Sequence, residues 1–432
     1  MLDRTETSSQ SDASCAEVRP NGLSRFAMLA PFATRSFRFQ WPADLLTSWA
    51  FEMETIILGW YVLVETGSVL WLTVFGASQF LGTLVAPLYG VVGDRLGHKS
   101  LLLGMRAAYA VFASTLLTFA LLGSVTPLVV LIVAMLMGLV RPSDLGVRSA
   151  LIAETMPTET LISALSMSRT TFDSARVAGA LLGASVFTFF GLAPAYVIIT
   201  GFYVAGALLM LGDTAPLRHI SLAMTPEEAA GKSPWRDLKE GVAHTWNRPI
   251  LLALISLAFL TNGSAYPITN GLMPYVAKNV YMLDQTGLAL LVASFAGGAL
   301  LGSIILSSVS GGTRLTRLMM VASFIWYAML LAFGQMPTAS SAIPCLVVGG
   351  IVQSFVMVSL QIMLLKESGE RFRGRVMGVR MMAIYSLPLG LLAAGPLIAW
   401  IGFRGTASLY AVIGLVFTTI IAVRWRADLW RR

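Results

Sequence analysis

Gly90-Val91-Val92-Gly93-Asp94-Arg95-Leu96-Gly97-His98-Lys99-Ser100 stands between two apolar runs, 70–91 and 101–122. The stretch is too polar for hydrocarbon and too short for a domain, while each flanking run reaches the about 20 residues that cross a bilayer as a helix. It therefore reads as a tight turn between two membrane-spanning helices. Gly90 and Gly93 allow close backbone approach at the helix end. Asp94 can dock against the positive N-terminal end of a neighbouring helix. Arg95 and Lys99 suit lipid phosphates or carboxylates at the membrane face. Gly97-His98-Lys99-Ser100 lacks the Gly-Lys adjacency and the preceding strand of a phosphate-binding loop, so a nucleotide-driven pump is not indicated.

Working outward, further apolar runs fall at 43–64, 127–147, 163–188, 192–212, 249–275, 286–308, 317–334, 342–365, 376–399 and 403–424. With the two flanking runs they make twelve spans, numbered here 1 to 12 in chain order. The longest polar connector, 213–248, separates six from six, with an amphipathic piece at 235–246. The expectation is an all-α membrane protein of two six-helix bundles. Residues 1–42 form a cytoplasmic tail, 43–212 one bundle, 213–248 a cytoplasmic linker, 249–424 the second bundle and 425–432 a second tail. The composition agrees: 56% of residues are hydrophobic and 12% charged, about half the charge of a soluble domain. Two cysteines, Cys15 and Cys345, exclude a disulfide framework, and the first 40 residues hold no signal-peptide core.

Orientation follows from Lys and Arg. With the N-terminus inside, Arg95, Lys99, Arg148, Arg236, Lys239, Arg314, Arg317, Arg371, Arg373 and Arg375 share the inner face, and the tail arginines join them. Of 30 basic residues only Lys278 and Arg404 fall clearly outside. The net charge of +8 is then topology, and no nucleic-acid partner is needed. The second half also echoes the first: Gly82 leads through the opening motif into span 3, and Gly298 and Gly302 lead through Gly311, Gly312 and Arg314 into span 9.

The opening motif resembles the helix 2–3 loop of the major facilitator superfamily, G-x-x-x-D-R-x-G-R-R/K. Gly90, Asp94, Arg95, Gly97 and Lys99 match it; His98 replaces a basic residue. Within that superfamily the chain is similar, over about 36–425, to the enterobactin-exporter-like and macrolide-efflux-like group. The shared features are Trp60 to Thr66-Gly67-Ser68 closing span 1, Arg141-Pro142 on span 4, Arg176 ahead of Gly179 and Gly183 on span 5, and Arg373-Gly374-Arg375-Val376 before span 11. The resemblance implies a gating loop of Gly90, Gly93, Asp94, Arg95, Gly97 and Lys99, with Asp94 latched to helix 11 in the outward-open state. Ala180 stands where the group carries a proline, which weakens its antiporter-type signature.

Ionisable groups at membrane depth cost roughly 2.5–3.5 kcal/mol each on insertion scales, so each needs a reason. Glu54 lies near the middle of span 1, with Glu52 about 200° round the helix from it. Glu54 either exchanges a proton in each transport cycle or sits in a fixed ion pair; Asp173 on span 5 is the reserve proton carrier. Arg141, Asp144 and Arg148 share one face of span 4, and Arg169, Asp173 and Arg176 one face of span 5. They read as an intramembrane charge network, with Arg141 or Arg176 able to hold an anionic substrate group instead. Span 7 is irregular, with Pro267 and Pro274 beside Asn262, Tyr266 and Asn270; broken backbone at membrane depth belongs beside protein or a water-filled cavity. Gln353, Ser354 and Gln361 on span 10, with Trp49 and Tyr61 on span 1, complete the cavity candidates.

No nucleophile–base pair or metal cluster is visible, so the expectation is a transporter, not an enzyme, with no cofactor and no metal. It would act as a monomer in a bacterial inner membrane, exporting a siderophore- or drug-like amphiphile in exchange for protons. An importer of an organic nutrient or siderophore, and a non-transporting scaffold or sensor, are the alternatives. A scaffold would tolerate loss of Glu54 and the span 7 amides; a transporter would not.

Overall fold

The computed structural model describes residues 30–83, 85, 89, 92–93, 96–213, 234–308, 315–369 and 372–430, and every regular element among them is helical. Eight helical segments are long and apolar enough to cross a bilayer. The last, Gly374–Arg424, is two passes, because Gly402 leaves helical geometry inside it (φ 73°, ψ 173°). Spans 1 and 5, Arg35–Thr66 and Thr158–Phe190, are 32 and 33 residues long and fall outside that set. Both carry several charged residues along their length. Span 2, Val69–Thr83 as described, completes the twelve-helix, two-bundle fold.

Span 1 begins eight residues earlier than its apolar run, at Arg35. Its extra turns carry Phe37 and Trp41 into a cluster with Ile152, Met156 and Ala164, so the hairpin of spans 4 and 5 shelters them. Trp41 donates to Thr171 Oγ1 at 2.9 Å, and Ser36 to Asp213 Oδ1 at 2.5 Å, tying span 1 to spans 5 and 6. The connector holds a helix, Pro234–Trp246. It packs on the start of span 11, where Arg375 Nη1 meets Glu240 Oε2 at 2.7 Å.

The irregularity of span 7 takes a definite form. Regular helix over Pro249–Leu260 widens into π-turns at Thr261–Ala265, Pro267–Gly271 and Val276–Val280. Pro267 and Pro274 have no N–H to give, and the wider turns re-route the carbonyls they orphan.

Gly311, Gly312 and Arg314 of the loop echo lie outside the described residues, but spans 4 and 10 repeat one another in structure. Thr126 caps span 4 by accepting from Val129 N, and Thr338 caps span 10 by accepting from Ser341 N. Twelve residues on from each cap is a glycine, Gly138 and Gly350. A Cβ at Gly138 would overlap the Ser78 carbonyl of span 2, and one at Gly350 the Phe295 carbonyl of span 8. Both crossings need a bare backbone.

Between the bundles, span 5 packs on span 8 and span 2 on span 11. At the end marked by Gly67 the halves are sealed: Ile56, Trp60, Ala180 and Ala184 join the core of the second bundle. Tyr385 on span 11 donates to the Thr83 carbonyl of span 2, bridging the halves further in.

Candidate functional site

Three groups of charges stand out among the described residues of the first bundle. Deepest is a cluster of two acids and two arginines. Asp44 of span 1 bonds Arg106 of span 3, Arg148 Nε lies 3.5 Å from Asp44 Oδ1, and Asp144 bonds Arg148. Arg148 also donates to Ser48 Oγ at 2.9 Å. All four side chains are buried, and the cluster is neutral as a whole. Desolvation is costly for each ion alone, so the four hold one another in place.

Arg141, on the same face of span 4, reaches different partners about 10 Å along the axis. Its Nη1 donates to Gln79 Oε1 at 2.7 Å and Thr55 Oγ1 at 2.8 Å. Its Nη2 lies 3.9 Å from Glu52 Oε1, and the guanidinium covers the Phe51 ring at 4.6 Å. Glu54 points the other way. It is 5% exposed between spans 1 and 6, accepting from Tyr203 Oη at 3.0 Å and Tyr196 Oη at 3.2 Å. The 200° separation thus leaves Glu52 beside the arginine and Glu54 walled in behind phenols.

On span 5, Arg176 turns toward the second bundle. Arg176 Nη2 donates to Asn270 Oδ1 of span 7 at 2.7 Å. One turn earlier on span 7, Tyr266 Oη accepts from Gln353 Nε2 at 2.7 Å, and its ring meets Trp326 edge-on at 5.5 Å. Arg169, Arg176 and Arg380 of span 11 all lie within electrostatic reach of that phenol. Among the described contacts, the ladder of span 4 braces span 1, and Arg176 of the span 5 ladder reaches the partner bundle.

The remaining cavity candidates scatter. Tyr61 donates to the Val125 carbonyl at 2.9 Å, and Asn262 to the Ala258 carbonyl of its own helix at 2.8 Å. Ser354 bonds the Ala299 carbonyl of span 8 at 2.6 Å, while Gln361, seven residues on, is exposed. Trp49 leans on Phe202, and its buried indole N–H has no partner among the described residues.

Of the gating loop, Gly90, Asp94 and Arg95 lie outside the described residues, as does the Asp173 side chain. Gly97 precedes span 3 at φ 84°, a left-handed value that favours glycine, and donates to the Gly93 carbonyl at 2.8 Å. His98 Nδ1 lies 2.6 Å from Glu154 Oε1 at the end of span 4. Lys99 Nζ donates to the Asp213 carbonyl at 2.5 Å. Sequence reasoning passed over Asp44, Gln79, Arg106 and Arg380. The signal for Arg106 and Arg380 was there: each is an arginine several residues inside an apolar run. No group of three His, Cys, Asp or Glu side chains with metal-binding geometry occurs among the described residues.

Residues 41–388 match the Major Facilitator Superfamily. Several solved structures share the fold. The human organic anion transporter MFSD10 (TETRAN) is 16% identical with a TM-score of 0.63, over 90% of this chain and 99% of its own. A POT family transporter in complex with a thioalcohol-conjugated peptide is 13% identical with a TM-score of 0.69, over 91% and 96%. A bacterial homolog to the human lysosomal transporter Spinster, inward-facing and unoccupied, is 14% identical with a TM-score of 0.66, over 91% and 98%. No curated protein sequence matches the chain.

Proposed function

The chain belongs to the Major Facilitator Superfamily and is a multi-pass membrane transporter, and from that premise we propose proton-coupled export of a small amphiphilic molecule by alternating access. The observation that carries the coupling is Glu54, a carboxyl buried between spans 1 and 6 that has no ion pair among the described residues and accepts from Tyr203 Oη at 3.0 Å and Tyr196 Oη at 3.2 Å. A carboxyl without a fixed counter-ion can take up and release a proton as its surroundings differ between the two facing states, which is what a coupled carrier needs. Glu52, 3.9 Å from Arg141 and partly buried, is the paired carboxylate in this reading.

Export rests on the similarity of residues about 36–425 to the siderophore- and macrolide-exporting group. The inward placement of both termini, and a bacterial inner membrane as the site, rest on the Lys and Arg distribution. The carrier works as a monomer with one central cavity. The test is accumulation of amphiphilic dyes in proteoliposomes under an imposed pH gradient. Glu54→Gln should abolish gradient-driven accumulation while leaving passive exchange, with Glu52→Gln and Asp173→Asn keeping coupled transport. Coupled transport by Glu54→Gln together with its loss in Asp173→Asn would move the proton to Asp173. A gradient that drives dye in the import sense alone would overturn the direction.

A further inference from the structure

The helix of the connector, Pro234–Trp246, meets the second bundle through one face. On that face a Cβ at Gly241 would stand 2.9 Å from the Arg375 carbonyl oxygen, and the His244 ring stacks on Phe372 at 4.0 Å. Glu240 Oε2 meets Arg375 Nη1 at 2.7 Å, and Thr245 is buried. At 100° per residue, 240, 241, 244 and 245 cover an arc of about 140°. Lys239, Val242, Ala243 and Trp246 fall on the opposite side, within about 100° of one another. All four are exposed, Trp246 at 71%. An indole, an isopropyl and a methyl group beside one ammonium suit a lipid headgroup layer, with the apolar groups toward the acyl chains and the lysine toward phosphate.

Two observations fix the level of this face. Trp246 stands three residues before Pro249, which opens span 7, so the chain enters the bilayer directly from it. The partners of the docked face, Phe372 and Arg375, lie at the opening of span 11, and Arg248 Nη1 donates at 3.1 Å to the carbonyl of Glu367, the last residue of span 10. The helix therefore lies beside the ends of three spans, at the end of the molecule away from Gly67, where headgroups surround a membrane protein. We propose that Lys239, Val242, Ala243 and Trp246 form a docking face for the anionic phospholipid surface of the adjoining leaflet. The sign of the charge follows from Lys239 and Arg248, both exposed, while Glu240, the one acid between 239 and 248, is turned to Arg375. Held by span 11 on one side and by lipid on the other, the helix ties the rim of the second bundle to the leaflet. This rests on the membrane fold and is independent of proton coupling and of transport direction.

The test uses the full chain with Cys15→Ser and Cys345→Ser and a bimane label on a single cysteine, Ala243→Cys in one sample and Val242→Cys in another. Each is placed in vesicles of phosphatidylcholine with or without about 30% phosphatidylglycerol. Bromine carried near the head of the acyl chains should quench about half of the emission at both positions in the anionic vesicles, since an interfacial helix seats its apolar face about 5–10 Å deep. Acrylamide in the water should quench both labels less well than it quenches the free bimane–cysteine adduct. Omitting phosphatidylglycerol should lower the bromine quenching, and Lys239→Gln should lower it in the anionic vesicles alone. Background bromine quenching at both positions, with acrylamide as effective as on the free adduct, would place the face in water and overturn the proposal. Equal bromine quenching with and without phosphatidylglycerol overturns the anionic partner. Neither result depends on substrate or gradient, so a carrier that fails the coupling test above can still pass this one.

Discussion

Spans 4 and 10 are the same piece of architecture used twice, and they differ where the chemistry begins. Each opens on a threonine cap and crosses its neighbour through a glycine twelve residues on. Three residues beyond the glycine the first carries Arg141 and the second Gln353. Arg141 gathers Gln79, Thr55 and Glu52, whereas Gln353 makes a neutral bond to Tyr266. The contrast extends through the bundles: the first core buries Asp44, Glu54, Arg106, Asp144 and Arg148, and the acids of the second all lie outside its spans. The duplicated scaffold fixes helix crossings, and those survive in both copies. Charge is an addition that one copy holds within its own core and the other meets only at the boundary.

The charged core offers the largest way to break that comparison. Arg106→Met removes one of two cations from around Asp44 and should cost about 3–5 kcal/mol of stability, the range for breaking a buried ion pair from one side. Thermal unfolding of the purified chain in detergent reads the loss. A melting curve equal to the wild type would mean that Asp44 is solvated and the cluster is not a buried one. Next comes a test of what the halves share. Gly138→Val and Gly350→Val each force a side chain onto a backbone carbonyl of the neighbouring span, and each should cost about 3 kcal/mol. Tolerance at one site and collapse at the other would break the structural repeat.

A smaller pair sharpens the difference. Tyr203 donates to the Glu54 carboxyl at 3.0 Å, while Tyr327 shares a bond with the Ser264 hydroxyl at 2.8 Å. Hydrogen bonds to charged groups are worth more than neutral ones, so Tyr203→Phe should cost about 2 kcal/mol and Tyr327→Phe about 1 kcal/mol. Equal costs would indicate that Glu54 is protonated in the folded chain.

Much of this was legible in the sequence, and the boundary of legibility is physical. Periodicity reports what shares a helix face, so Arg141, Asp144 and Arg148 were visibly aligned on span 4. It does not report which neighbouring helix that face meets. Asp44 and Arg106 stand 62 residues apart on different spans, and only packing joins them. Span 7 announced its irregularity through Pro267 and Pro274, since a missing N–H is a local fact. Glu52 and Glu54 could be separated by angle, but the side of span 1 that span 6 covers is a tertiary fact. Arg380 was masked by company: it follows Arg373 and Arg375, whose charges suit a loop, and only its place inside the apolar run sets it apart.

The smallest predicted effect belongs to the connector helix, which docks on the second bundle. His244 stacks on Phe372 with ring centroids 4.0 Å apart and planes 4° from parallel, beside the Glu240–Arg375 ion pair. Burial, and then the charge of Arg248, push the His244 pKa below its ordinary range, against an opposing hydrogen bond with the Ser368 backbone. The docked state therefore favours neutral imidazole. Docking should be at full strength above the ordinary histidine pKa of about 6.5 and weaken as pH falls through that value. The loss stops once pH is below the lowered pKa of the docked ring, where both states are protonated. Glu240 holds its partner Arg375 in the same contact and tempers the effect, and the ring is partly solvated, so the change should be modest. Hydrogen exchange over residues 239–246, corrected for intrinsic rate, should show less protection at about pH 5.5 than at about pH 7.5. His244→Gln should flatten that dependence, and the first bundle should show none of it at Thr126 to Gly138. Protection that rises in acid would mean that the ring binds a proton in the docked state, with Glu240 in place of Phe372 as its dominant partner.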